Sequence, residues 1–313
     1  MSRIAVVGAG YMGGGIAQAF ALAGHDVTLA DSSAEVAEKA VERLVAEGEK
    51  YAADGLFPDG AGAVLAQRLH AAPDAAAAVA DAWYVTEAVF ERIDVKHDVL
   101  RTICEAAPAD AVIGTNTSAI PIAELAEAVT GPERFLGVHW MNPSYFVPCV
   151  EVIPTTRTDA AVVERVADLL REAGKQPTVV ADTPGFVANR LQFALYKECT
   201  RMVEEGAATP AQIDEVVRNS FGFRLPFFGP FLISDIAGLD VYRASMATLE
   251  RDLGERLAVP QALTDQVEAG RLGLKSGEGF FPHGPEDAER LRRYRDAGYA
   301  WLAALRAQLD AEG

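Results

Sequence analysis

The sequence predicts an α/β fold: a doubly wound parallel sheet in the first part of the chain, then an all-α second part. Three observations carry this. A short apolar run, Ile4-Ala5-Val6-Val7, leads at once into the glycine turn Gly8-Ala9-Gly10-Tyr11-Met12-Gly13 and then a helical stretch. Further short apolar runs recur along the chain with helical stretches between them, the alternation expected of a parallel sheet. After the turn Asp182-Thr183-Pro184-Gly185 no strand alternation is clear. At 313 residues the chain exceeds the usual size of one domain. The boundary is placed at that turn, giving domains 1–183 and 184–313.

Ile4–Val7 suits a central strand buried on both faces. In the turn after it, Gly8 allows the sharp bend, Gly10 lets backbone approach a pyrophosphate, and Gly13 lets helix and strand pack closely. Tyr11 and Met12 lie between these glycines and belong to the same expected site. Residues 14–23 read as a helix whose N-terminal amides face the phosphates. His25–Asp31 reads as the next strand, ending in an acid. Asp31 can accept hydrogen bonds from both adenosine ribose hydroxyls and repels a 2′-phosphate, and Ser32 and Ser33 supply no arginine. NAD is therefore expected over NADP, with FAD the lesser alternative and a ligand-free glycine turn the bland one.

Residues 34–80 are alanine-rich and predicted helical, with a break at Asp54–Gly60. Trp83–Val89 is a third strand. Glu91 and Lys96 follow its end, where an open parallel sheet binds its ligand, so they read either as an exposed charged pair or as cofactor contacts. Ala111–Thr115 is a fourth strand. Asn116, Thr117 and Ser118 after it are equally suited to cap a helix or to hydrogen-bond a substrate oxygen.

Gly137-Val138-His139-Trp140-Met141-Asn142-Pro143 reads as a buried strand end and a turn. The return strand, Cys149–Ile153, carries Glu151. Two adjacent extended segments bring His139 and Glu151 side by side. A carboxylate on one imidazole nitrogen fixes the tautomer and leaves the other free to take a proton. A structural His–Glu pair is the competing reading. Asp159 is placed to cap a helix with apolar residues at helical spacing, and Pro177–Ala181 is the last strand. Helices are then expected at 186–206, from Thr209-Pro210, and at 231–252, 260–270 and 286–311.

Composition narrows the function. Half of the residues are hydrophobic, and the formal net charge is −17, which repels nucleic acid and anionic membrane. No apolar run reaches the ~18 residues of a membrane helix, and no signal-peptide pattern opens the sequence. The three cysteines, Cys104, Cys149 and Cys199, are scattered and read as reduced core thiols of a cytoplasmic protein. No metal-ligand spacing is visible, and His25, His70, His97 and His283 read as exposed or structural.

The sequence resembles the L-3-hydroxyacyl-CoA dehydrogenase family over nearly its full length. The likeness rests on the glycine turn, Asn116-Thr117-Ser118, His139–Pro143 with Glu151, and Asp182-Thr183-Pro184-Gly185-Phe186-Val187-Ala188-Asn189-Arg190. It continues through Gly229-Pro230-Phe231, Gly238-Leu239-Asp240 and Gly273–Phe281. It implies that His139 and Glu151 are the catalytic pair and that Ser118, Asn142 and Asn189 surround the reacting oxygen. It further implies that Asp31, Glu91 and Lys96 contact NAD, with Asn116 and Ser118 beside the cofactor. A helical second domain is implied to form a homodimer contact and to close over the substrate, with Asn189 completing the site on closure.

The expected substrate is a short-chain (3S)-3-hydroxyacyl-CoA. Departures from the family pattern question only the acyl carrier. The segment after the second strand is acidic where CoA-using members carry several lysines, and Trp140-Met141 replaces the more usual pair of phenylalanines. Arg224 reads as a surface residue or as a clamp for a free carboxylate. The alternative substrates are a free hydroxy acid, carnitine- or gulonate-like, or an acyl group on a carrier protein. Two other classes compete: a non-enzymatic NAD-binding protein, which has no need of His139 and Glu151, and a 6-phosphogluconate-type dehydrogenase, which relies on a lysine.

Overall fold

The computed structural model describes residues 3–312, for the last of them the backbone alone. The elements in order are β1 (Arg3–Val7), α1 (Tyr11–Leu22), β2 (Asp26–Ala30), α2 (Ala34–Ala53), α3 (Ala61–Arg68), β3 (Leu69–Ala71), α4 (Ala75–Val79), β4 (Tyr84–Glu87), α5 (Ile93–Ala106), β5 (Val112–Thr115), α6 (Ile122–Leu125), β6 (Phe135–Trp140), β7 (Cys149–Pro154), α7 (Ala160–Glu172) and β8 (Gln176–Val179). Helices α8 (Ala188–Glu204), α9 (Pro210–Asn219), α10 (Phe221–Arg224), α11 (Pro230–Ala237), α12 (Leu239–Leu253), α13 (Gln261–Glu268) and α14 (Asp287–Glu312) follow. The fold is thus the one predicted, a Rossmann-type sheet domain followed by helices.

The eight strands form one sheet in the order β3-β2-β1-β4-β5-β6-β7-β8. Every neighbouring pair is parallel except β6 and β7, which are antiparallel. Alternation along β1 divides the core. Ile4 and Val6 pack on one face with Ile16 and Phe20 of α1 and Val166 and Leu170 of α7. Ala5 and Val7 pack on the other with Leu100 and Ile103 of α5. Burying each of these larger side chains contributes ~1.5–3 kcal/mol. The central strands therefore read as unbroken apolar runs, as a sheet covered on both faces requires.

Two details differ from the expectation. The predicted helical stretch 34–80 contains the short strand β3, paired with β2. Its core contact is a single buried leucine, Leu69, too little for a strand pattern to show. Asp159 precedes α7 but makes no side-chain cap; Asp182 instead accepts from the Ile122 and Ala123 amides at 3.1 and 2.8 Å and so caps α6 from sixty residues away.

The chain divides into two compact units, Met1–Tyr196 and Lys197–Gly313, so the division falls inside α8 rather than at the turn before it. In the second unit Thr209 and Gln212 form a reciprocal capping box at α9, with Pro210 in its first turn. The single helix expected over 231–252 is two, broken at Gly238, whose φ of +103° is left-handed territory. Asp235 is 1% exposed. It accepts from the Phe280 and Phe281 amides, each at 3.0 Å, and from His283 Nε2 at 2.8 Å, which ties the 273–283 loop to α11.

Candidate active site

β6 and β7 pair so that His139 stands opposite Glu151. His139 Nδ1 lies 2.9 Å from Glu151 Oε2, and the two side chains are 5% and 3% exposed. An ionised carboxylate can only accept, so Nδ1 carries the proton and Nε2 holds the open lone pair. Among the described residues Nε2 has no hydrogen-bond partner. The other oxygen, Glu151 Oε1, accepts from the Val187 and Ala188 amides, each at 2.9 Å.

Those amides are aimed by the preceding turn. Gly185 and Phe186 have φ of +74° and +48°, and Phe186 is the non-glycine residue with a left-handed backbone among those described. The turn delivers the first amides of α8, which lack helical acceptors, to a carboxylate. Phe186 is 2% exposed, its ring centroid 5.6 Å from that of His139. Apolar packing on one side and a twice-anchored carboxylate on the other leave the imidazole one orientation.

A second constellation holds the loop after β5. Glu91 Oε1 accepts from the Thr117 hydroxyl at 2.5 Å and from the Ser118 and Ala119 amides at 2.8 and 2.9 Å. Burial pushes the Glu91 carboxyl up, but these donors and the Lys96 ammonium outweigh it and hold the group below the usual carboxylate range. Glu91 is thus the anchor of Ser118. Neither Asn116 nor Ser118 caps a helix. Asn116 Oδ1 accepts from the Trp140 amide at 2.9 Å, beside His139.

Lys96 is not the exposed partner that a surface pair would supply. Its side chain is 0% exposed, and Nζ donates to both oxygens of the equally buried Glu87, at 2.8 and 3.1 Å, with Glu91 Oε2 at 3.4 Å. Glu87 also accepts from the Thr115 hydroxyl at 2.6 Å. Lys96 therefore supports Glu91 from beneath.

Asn189 Nδ2 donates to the Ser118 carbonyl at 2.9 Å. Asn189 lies in the first compact unit, so this contact needs no closure of the second. Asn142 leaves the end of β6 exposed, without a hydrogen bond to a described residue. His139, Glu151, Ser118 and Asn189 are therefore brought together by direct bonds or shared anchors, and Asn142 by its place three residues after His139.

The glycine turn fits a dinucleotide. A Cβ on Gly13 would lie 1.8 Å from the Gly8 carbonyl, and one on Gly8, at φ +102°, 2.5 Å from the Ala88 carbonyl. At Gly10 it would meet nothing within 4 Å, so the turn is open there. The first turn of α1 holds no acidic residue to compete for its free amides. Tyr11 is 57% exposed over the turn and Met12 partly buried. Asp31 sits at the end of β2 with Oδ2 accepting from the Ala9 amide at 2.7 Å and Oδ1 from Ser32 at 2.7 Å. No group of three or more metal-ligating side chains occurs among the described residues. Burial pushes the Cys104 and Cys149 thiols up, away from a reactive thiolate. No described helix is long and apolar enough to cross a membrane.

Sequence reasoning missed Glu87 and Phe186. Glu87 was hidden inside an apolar strand, and a left-handed phenylalanine leaves no signal in composition. Thr117, expected with its two neighbours to cap a helix or meet a substrate oxygen, instead secures the loop through its hydroxyl, which donates to Glu91 and accepts from the Ile120 amide.

The chain resembles known proteins over most of its length. The family model "3-hydroxyacyl-CoA dehydrogenase, NAD binding domain" matches residues 3–183, and "3-hydroxyacyl-CoA dehydrogenase, C-terminal domain" matches 185–283. The chain is 36% identical over 294 residues to the 5-formyl-3-hydroxy-2-methylpyridine 4-carboxylate 5-dehydrogenase of Mesorhizobium japonicum, covering 94% of each chain. It is 35% identical to a probable 3-hydroxybutyryl-CoA dehydrogenase of Deinococcus radiodurans, over 90% of this chain and 100% of that one. The crystal structure of the 3-hydroxyacyl-CoA dehydrogenase of Archaeoglobus fulgidus superposes with a TM-score of 0.79 at 33% identity, covering 97% of this chain and 99% of that one. The chain belongs to the 3-hydroxyacyl-CoA dehydrogenase family, as an NAD-dependent oxidoreductase acting on CH–OH.

Proposed function

We propose that this enzyme interconverts a (3S)-3-hydroxyacyl-CoA and the matching 3-oxoacyl-CoA, with His139 as general base and acid oriented by Glu151. The observation that carries the reading is the buried 2.9 Å His139–Glu151 contact with the far imidazole nitrogen left open. NAD, when bound, supplies the hydride acceptor and, reduced, the hydride donor. In oxidation, His139 Nε2 takes the proton from the substrate's hydroxyl oxygen as hydride leaves the carbon that bears that oxygen. Glu151 balances the positive charge that forms on the ring. In reduction the imidazolium returns the proton to the nascent alkoxide. A base placed this way contributes ~10²–10⁴-fold.

Ser118 and Asn142 hydrogen-bond the substrate oxygens in this reading, and such a donor in a dry site is worth ~3–4 kcal/mol of barrier. Asn189 steadies Ser118 through its carbonyl. Glu91, Asn116, Asp31 and the glycine turn (Gly8, Gly10, Tyr11, Met12 and Gly13) line the cofactor side, with Lys96 behind Glu91. We place the enzyme in the cytoplasm, in keeping with its three unpaired cysteines, and infer a homodimer through the second unit. Helices of that unit expose Val241, Leu249 and Trp301.

A second reading keeps the chemistry and changes the carrier: a free, carboxylated hydroxy compound. Two observations favour it. Three of the four basic groups of the α2–α3 segment are engaged locally, Lys39 with Glu35, Arg43 with Glu47 and the Ala9 carbonyl, and Arg68 with Asp26, so that a phosphate would have to compete with these partners. The relative from Mesorhizobium japonicum, named for a pyridine carboxylate, is as similar as those named for CoA esters. Turnover with acetoacetyl-CoA and NADH, beside free 3-oxo and aromatic aldehyde acids, decides between them. Activity on the thioester alone is the expected result, and activity on free acids alone overturns it.

A further inference from the structure

Lys175 precedes β8 and is 4% exposed, yet no carboxylate stands among its partners. Its Nζ donates to the carbonyls of Tyr145 at 2.9 Å and Val147 at 3.1 Å, and lies 5.5 Å from the centre of the Trp140 ring. A buried ammonium without a counter-ion is costly and is retained where its hydrogen bonds do something an apolar side chain cannot. Burial here lowers the Lys175 pKa from its ordinary value.

What those bonds hold is the loop 141–148 between the two catalytic strands. The loop leaves β6 directly after His139 and Trp140, presents Asn142, and returns to β7 with Glu151. Inside it, the Phe146 and Val147 amides both bond the Pro143 carbonyl, which leaves the Tyr145 and Val147 carbonyls for Lys175. At its far end the Gln176 amide, next to Lys175, bonds the Pro148 carbonyl at 2.7 Å. Ser144 Oγ donates to the Met12 carbonyl in the first turn of α1, at 3.3 Å, and the Tyr145 hydroxyl lies 2.8 Å from that of Tyr51. One end of the loop is thus tied to the cofactor turn and the other to Lys175. Successive side chains of a strand point to opposite faces, so Trp140, with Lys175 on its ring, is turned away from the face that carries His139. Lys175 does not reach the reacting atoms.

We propose that Lys175 is a positioning residue: it clamps loop 141–148 so that Asn142 is held over the substrate oxygen beside His139. The role of Asn142 rests on the function proposed above; the clamp itself does not. The test compares the full-length enzyme with Lys175→Met, which keeps length and burial, and Lys175→Arg, which keeps charge and donors. Backbone hydrogen exchange, NADH affinity, and kcat and KM for acetoacetyl-CoA are read for each.

Lys175→Met is expected to exchange the Phe146, Val147 and Gln176 amides about tenfold faster or more, with the rest of the sheet unchanged. NADH affinity stays the same, kcat falls about tenfold or more, and Lys175→Arg recovers part of both losses. Unchanged loop protection overturns the proposal, as does a loss spread evenly over the first unit, or faster loop exchange with kcat and KM as in the parent. If the parent itself turns over no thioester or acid, the functional reading fails instead, and the exchange pattern alone decides the clamp.

Discussion

Two buried histidine–carboxylate pairs lie among the described residues, one in each compact unit, and they are nearly alike. His139 meets Glu151 at 2.9 Å and His283 meets Asp235 at 2.8 Å. Each carboxylate also accepts from two neighbouring backbone amides, Val187 and Ala188 in the first case, Phe280 and Phe281 in the second. What separates them is location. The first pair lies at the carboxyl end of β6, and its carboxylate holds the start of α8, whose Asn189 bonds the Ser118 carbonyl. The second ties a loop, with Gly273 and Gly279 packed so closely on Asp235 that a Cβ on either would lie 2.2 or 2.3 Å from it. Pair geometry alone does not distinguish the two; their surroundings do.

The comparison predicts different costs for the same cut. Glu151→Ala has the largest effect, because it frees the imidazole and strands two buried amides together. Turnover falls ~10²–10⁴-fold, and stability falls by ~3 kcal/mol, measured by denaturant unfolding. Asp235→Ala is expected to lose a similar ~3 kcal/mol while kcat per folded molecule stays within about twofold. A kcat collapse in that variant, with the fold retained, would give the second pair a catalytic part and break the contrast.

Smaller effects sharpen the cofactor side. Asp31→Ala weakens NADH binding by about 10–100-fold by titration and narrows the preference over NADPH, since a charged acceptor and a repulsion are both removed. The smallest effect concerns Glu91→Gln. The folded carboxyl is held below its ordinary value, so its contribution to stability is present above the unfolded pKa of ~4.3 and is lost as pH falls through the folded one. Melting curves should show a constant gap from about pH 6 upward that closes in acid. With the Glu91 side chain 39% exposed, the gap is no more than ~1 kcal/mol. A gap that widens in acid would mean the carboxyl is held above its ordinary value.

The legible parts of the sequence were those written in one short stretch. The glycine turn, the acid ending β2 and the His139–Glu151 spacing each lie within a strand or a hairpin, where period and spacing translate directly into contact. Glu87 and Lys175 were illegible because their meaning lies in partners across the fold. A lone acid in a strand and a lone lysine after a helix carry no signal until Thr115, Lys96 and the 145–147 carbonyls are brought to them. The two family models meet at the turn expected as the boundary, while the compact units divide further on, inside α8. The turn at 182–185 is a clear break in pattern, yet Asp182 and the amides of Val187 and Ala188 bond back into the sheet unit and carry the start of α8 with them.

Single-turnover oxidation of bound NADH by acetoacetyl-CoA, followed at 340 nm in the parent and in His139→Gln at matched cofactor occupancy, addresses the proton donor itself. NADH affinity should be unchanged and the hydride-transfer rate lower by ~10²-fold or more. A His139→Gln enzyme that oxidises its bound NADH at the parent rate would contradict the assignment of this imidazole.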